Sequence, residues 1–225
     1  KRPDRYLPDT WPTYYSKCHG VKITDLDNKE YIDMAQMAVG SAILGYSHSE
    51  LVSAVNEASI NGINCTLNSP EEVMFAEKLI ELNPFAGGVK FARTGAEAMS
   101  IAIRIARAYS KKEKVAFSGY HGWSDWYLAT NLTGTEQLKD HLLPGLEPIG
   151  VPKGLKNTVV PFIYNDIEGF YDVIKKNPDI GIICIEGARY DFPKKDFLDA
   201  IMNVARDKNL IIISDEILYE ISKQV

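Results

Sequence analysis

The spacing of apolar positions changes along the chain, and each change marks an element. From Val21 to Asp33 the run VKITDLDNKEYID alternates apolar and polar residues around Asp27 and Asn28, which predicts a β-hairpin turning at those residues. Residues 1 to 20 carry Pro3, Pro8 and Pro12 and are expected to form an extended arm. A helix is predicted after an N-cap at Ser49, ending at Gly62. A second begins at Ser69, where Pro70 and Glu72 complete a capping box, and runs to Asn83 and Pro84 with Val73, Ala76, Leu79 and Ile80 as its buried stripe.

From Gly87 onward, short apolar runs alternate with helical periodicity. Gly87 to Arg93 is expected to be a buried strand, and Thr94 opens a helix with Ile101, Ile105 and Tyr109 near one face. Met99, Ala102, Ile103 and Ala106 widen that apolar surface. KVAF, TVVPFIY, IGIICIEGA and LIIIS supply four more strands. Between them lie a helix capped by Asp166, with Ile167, Phe170 and Ile174, and another with Phe197, Ile201, Val204 and Ala205. Trp123 to Lys156 is expected to be irregular. This order implies an α/β fold, a mostly parallel sheet sandwiched by helices, preceded by an arm and hairpin.

Composition narrows the partners. The 225 residues carry a net charge of -5, which gives no electrostatic reason to expect nucleic acid or an anionic membrane. No apolar run reaches the length of a membrane span, and no signal-peptide pattern opens the chain. Cys18, Cys65 and Cys184 have no CxxC spacing, so a disulfide framework or zinc site is not expected; a reducing, cytoplasmic setting is. The chain has no initiator Met and stops soon after an apolar strand, so it is expected to be part of a longer protein.

In a parallel sheet, ligands collect where the strands end. Polar residues stand at such ends here: Thr94 with Gly95, Tyr120 with His121, Glu186, and Asp215. The Thr94–Gly95–Ala96 turn suits an anion at a helix start, and equally an ordinary capped turn. Tyr120 and His121 suit either a platform for a planar ligand or an aromatic packed over the sheet edge. Glu186 and Asp215 close apolar strands and need partners; for Asp215 a functional and a structural hydrogen bond both stand. His19, His48 and His141 are read as isolated, Cys184, Met34 and Met37 as packing residues, and Trp123 and Trp126 as pocket wall or core.

Taken in order, DLDNKEYID, LGYSHSELVSAV, TGAEAMSIAIRIARAYS, YHGWSD, IEGA and IIISDEI resemble the class III aminotransferases of pyridoxal phosphate fold type I, most of all the glutamate-1-semialdehyde 2,1-aminomutase branch. The resemblance implies pyridoxal 5'-phosphate as cofactor. It assigns Thr94, Gly95 and Ala96 to the phosphate, Tyr120 to stacking on the ring with His121 beside it, and Asp215 to the ring nitrogen. Ile217 would pack on the opposite ring face and Glu186 near the ring substituents. It further implies a homodimer, a small amino or keto substrate, and a cycle that carries an amino group on the cofactor as pyridoxamine phosphate. Residues 1–48 would form the arm and small-domain segment and 49–225 the cofactor-binding large domain.

The pattern also departs from that family. Ala96 stands where Ser or Thr is common, and Gly187 where Pro is usual. The stretch from Asp33 to Gly45 is a residue longer than the usual pattern. No residue matches the Schiff-base lysine, since Lys223 stands too close to Asp215. A non-catalytic protein of the same fold, or a nucleotide-binding α/β protein using TGAEA as its phosphate loop, are the alternative functions.

Overall fold

The computed structural model describes residues 12–34, 41–63, 65–134, 137–138, 147–188 and 192–217. The expectations for residues 1–11, Met37, His141 and Lys223 lie outside that set. The chain divides into two compact units, Lys1–Val89 and Lys90–Val225.

In the first unit, β1 (Tyr15–His19), β2 (Lys22–Asp25) and β3 (Glu30–Ile32) form an antiparallel meander. The predicted hairpin is β2 and β3, with Lys22 opposite Ile32 and Thr24 opposite Glu30. The expected extended arm is corrected over Tyr15–His19: Gly20, at φ +56°, turns the chain so that Cys18 faces Ile23 in a third strand. Asp25 organises the β2–β3 turn. One of its carboxylate oxygens accepts from the backbone N–H groups of Asp27 and Lys29 at 2.9 Å, and the other accepts from the Tyr31 hydroxyl at 2.9 Å. These bonds, that from the Lys29 backbone foremost, hold the Asp25 carboxyl below its ordinary pKa of 3.8.

Two helices follow in this unit, α1 (Ser49–Asn61) and α2 (Pro70–Leu82). The cap of α1 is His48, one residue before the expected Ser49, because the His48 carbonyl already accepts from Val52. At α2 the cap is Ser69 and Pro70 opens the helix, but the capping box does not form: Glu72 N–H bonds to the Ser69 carbonyl, not to its hydroxyl. The predicted buried stripe of α2 is also corrected. Val73 is exposed and Ala76, Leu79 and Ile80 are half-buried. Met34, expected to pack, is exposed as well.

The second unit is an open parallel sheet of β4 (Lys114–Ser118), β5 (Val159–Pro161), β6 (Ile180–Glu186) and β7 (Ile211–Asp215), in the order β5-β4-β6-β7. Helices cover both faces, as the continuous apolar run of β6 requires. On one face Met99, Ile103 and Ala106 of α3 (Gly95–Ser110) pack on Val115, Phe117, Ile182 and Cys184. On the other, Phe170 and Ile174 of α5 (Ile167–Lys176) and Phe197, Ile201 and Ala205 of α6 (Lys195–Lys208) pack on Ala116, Ile183 and Ile185. Alternate residues of β4 and β6 therefore feed opposite layers. Each fully buried Phe or Ile contributes about 1.5–3 kcal/mol.

The buried stripe of α3 is Met99, Ile103 and Ala106, whereas Ile105 and Tyr109 are exposed. Both stripes have helical spacing, and only the position of the sheet selects between them. Gly87 to Arg93 is not a strand, because it makes no ladder with any described strand. β5 ends at Pro161, and the next residue still bonds to β4, Phe162 N–H donating to the Phe117 carbonyl at 2.9 Å. Within the stretch expected to be irregular, α4 (Asp125–Leu128) runs into a 3-10 turn at Ala129–Leu132, and another lies at Lys153–Leu155. Asp166 caps α5 as predicted, accepting from Gly169 N–H at 3.0 Å. No described helix is long and apolar enough to cross a membrane.

Candidate functional site

The carboxyl ends of β4, β6 and β7 deliver Ser118, Glu186 and Asp215 to one edge of the sheet, and β6 and β7 place Glu186 and Asp215 side by side in register. Glu186 is buried, and the Asp215 side chain keeps 12% of its exposure. Each of the eight residues proposed from the sequence lies in this unit, at or beside this edge.

Two glycines make the β4 exit possible. Gly119 at φ +113° and Gly122 at φ +90° flank Tyr120 and His121 in backbone conformations that side chains rarely tolerate. Their missing Cβ atoms also permit close approach. A Cβ on Gly119 would lie 2.7 Å from Cγ of Glu186, and one on Gly122 would lie 3.0 Å from Cβ of Ala96. The aromatic turn is thus seated on the β6 acid at one end and on the start of α3 at the other.

His121 is fully enclosed. Its Nδ1 donates to Oδ2 of Asp215 at 3.0 Å, and its Nε2 lies 3.2 Å from the Ser118 carbonyl. The Trp126 ring stacks on it with centroids 6.1 Å apart and planes at 28°, and Phe117 and Tyr127 close its edges. Such a ring cannot swing away, so Asp215 is held from behind while its remaining exposure leaves the carboxylate reachable. Tyr120 is half-buried with its edge against Tyr127 at 5.8 Å, and burial pushes its phenol pKa up.

At the start of α3, the Thr94 hydroxyl accepts from Glu97 N–H at 3.2 Å, and the Glu97 carboxylate returns to Arg93 N–H at 2.7 Å. This reciprocal pair defines the helix start. It leaves the N–H groups of Gly95 and Ala96, which no helix satisfies internally, as the donors an anion would meet. Ile217 completes the group: a Cβ on Gly95 would lie 3.4 Å from its Cδ1, and its N–H makes a long 3.4 Å contact with Oδ1 of Asp215.

The eight residues therefore form one connected set rather than scattered strand ends. Trp126 is core, whereas Trp123 is 70% exposed. Cys184 is fully buried, and burial raises its thiol pKa. Sequence reasoning passed over Ser100, Ser124 and Tyr127. Tyr127 donates from its hydroxyl to the Gly119 carbonyl at 3.1 Å. Its position a few residues beyond YHG was the available signal. Among the described residues, no cluster of three or more His, Cys, Asp or Glu side chains could hold a metal.

The donor set fits pyridoxal phosphate: helix-start N–H groups for the phosphate, a flat ring at Tyr120, and a braced carboxylate at Asp215 for the pyridine nitrogen. Comparison with known proteins points the same way. A family model described as aminotransferase class-III matches residues 8–219. The chain is 32% identical to a 3-aminobutyryl-CoA aminotransferase of Cloacimonas acidaminovorans, over 96% of this chain and 50% of that protein. It is also 32% identical to a glutamate-1-semialdehyde 2,1-aminomutase of Cytophaga hutchinsonii, over 92% of this chain and 48% of that protein. A solved transaminase with PLP bound superposes with a TM-score of 0.79 at 27% identity, over 92% of this chain and 49% of that one. The chain spans about half the length of the relatives it matches.

Proposed function

Because the chain belongs to the class III aminotransferases, we propose that it supplies the cofactor cradle of an enzyme that moves an amino group with pyridoxal 5'-phosphate. The observation that carries this reading is the His121–Asp215 bond at 3.0 Å, made at the sheet edge that also holds Tyr120 and the start of α3. When bound, the cofactor supplies a protonated pyridine ring that withdraws electrons from a substrate carbon losing its proton.

The residues of this chain take the following roles. Gly95 and Ala96 bind the phosphate through backbone N–H, with the dipole of α3 adding attraction. Thr94 holds the helix start through Glu97 N–H, and Tyr120 orients the ring from one face while Ile217 meets the other. Asp215 keeps a proton at the pyridine nitrogen, and His121 keeps Asp215 in place. Glu186 shapes the floor beneath Gly119. We assign the enzyme a small amino or keto substrate, a homodimeric state and a cytoplasmic setting. The two named relatives share the movement of an amino group and differ in the substrate their names carry.

Titration of the protein with pyridoxal phosphate, with and without Tyr120→Ala, tests this. Saturable binding that the substitution weakens supports the cradle. Binding of a nucleotide in its place, unaffected by Tyr120→Ala, would favour a nucleotide-binding fold using the same helix start.

A further inference from the structure

We infer that Ser124 is a positioning residue: it ties the start of α3 to the Tyr120–Gly122 turn and so fixes the span between the cofactor's phosphate and its ring. This inference rests on the cofactor reading above.

Ser124 occupies the N-cap position of α4, with φ −72° and ψ 156°, yet its side chain makes no capping bond there. The hydroxyl instead lies 3.3 Å from the Ala96 carbonyl and 3.0 Å from the Ser100 hydroxyl, across 28 and 24 residues of sequence. Ser100 in turn donates to the Ala96 carbonyl at 2.8 Å. Each hydroxyl has one proton. Ser100 spends its proton on the Ala96 carbonyl, so Ser124 donates to Ser100 or shares that same carbonyl. In either case the pair of hydroxyls closes on Ala96.

The peptide joining Ala96 to Glu97 is thereby held at both ends, its carbonyl by the serines and its N–H by the Thr94 hydroxyl at 3.2 Å. Gly122 presses on the same residue, leaving a Cβ there only 3.0 Å from Cβ of Ala96. The N–H groups proposed to bind phosphate belong to this segment, and the ring platform Tyr120 belongs to the turn that Gly122 closes. A ligand that uses both turns at once feels the distance between them; a ligand that uses only one does not. Position 96 has no hydroxyl of its own, and the hydroxyl of Ser124 stands at its carbonyl.

The test compares pyridoxal phosphate with pyridoxal, which has the ring and no phosphate, by titrating each into the protein and following ligand absorbance. Ser124→Ala is expected to weaken pyridoxal phosphate about three- to tenfold, the loss of one hydrogen bond, and to leave pyridoxal within about twofold. Ser124→Thr restores the affinity. Ser100→Ala removes the same junction from the helix side and is expected to act in the same direction, which keeps the test open if Ser124→Ala does not fold. Unchanged pyridoxal phosphate affinity in both alanine variants, or equal weakening of both ligands, would overturn the positioning role while leaving the cofactor reading intact. A wild-type protein that binds neither ligand would overturn both.

Discussion

Gly119→Ala is the substitution whose cost is most directly set by the geometry. At φ +113° the residue lies where only glycine rests without strain, a penalty of ~1–3 kcal/mol for any other residue. The new methyl would also lie 2.7 Å from Cγ and 2.8 Å from Cδ of Glu186, so the stem of that buried side chain must move, not merely its tip. Overpacking of this kind costs another ~1–3 kcal/mol. Together these give a loss of roughly 2–6 kcal/mol. Urea unfolding followed by tryptophan fluorescence measures it as a fall in midpoint at constant slope. The two components separate in a double-mutant cycle. With Glu186→Ala in the background the methyl has room, so only the backbone strain remains, and a coupling of ~1–3 kcal/mol is expected. Stability of Gly119→Ala within about 0.5 kcal/mol of wild type would refute the reasoning, since it is the scatter of an ordinary surface change.

Other substitutions test separate parts of the structure. His121→Ala leaves Asp215 without its buried donor and should cost about 3 kcal/mol, near the lower end for breaking a buried pair because Asp215 retains some solvent contact; denaturant unfolding checks it. Phe197→Ala empties a fully buried position between α6 and the sheet and should cost ~3–5 kcal/mol, read the same way. Asp25 tests the hairpin. Its folded pKa lies below the ordinary value of 3.8, so its contribution is present above that pH and is lost as pH falls through the folded value. Asp25→Asn should flatten this acid dependence, and an unchanged acid transition would count against it.

Much of the second unit was legible in the sequence because its signals are local. IGIICIE is apolar on both faces and bounded by polar residues, so a covered strand was the natural reading, and β6 is buried throughout. Asp166 caps its helix as spacing implied. The site was half legible: Thr94, Tyr120, Glu186 and Asp215 stand at turns or strand ends, and parallel topology gathers such ends. What failed was non-local. The apolar pattern of Gly87 to Arg93 could not reveal whether a strand would pair with it, and the two stripes of α3 differ only in which meets the sheet. Ser69 has the sequence of a capping box, but its carbonyl and not its hydroxyl meets Glu72. Ser124 looked like part of an irregular loop because its partner lies 28 residues earlier. The clasp of His121 on Asp215 spans 94 residues and could be inferred only once the fold brought β4 and β7 to one edge.

We propose that Asp215, braced by His121, makes pyridoxal phosphate competent to accept an amino group in the enzyme whose cofactor cradle this chain supplies. Its most direct test is a single-turnover measurement of keto product released when an amino donor is mixed with the full-length, cofactor-loaded enzyme that contains this chain, for wild type and Asp215→Ala. One keto product per bound cofactor is expected in wild type, and cofactor binding with release slowed at least about a hundredfold in the variant, the scale of one lost electrostatic contact to the reacting system. Release at the wild-type rate from Asp215→Ala, or none from loaded wild type with any amino donor, would contradict it.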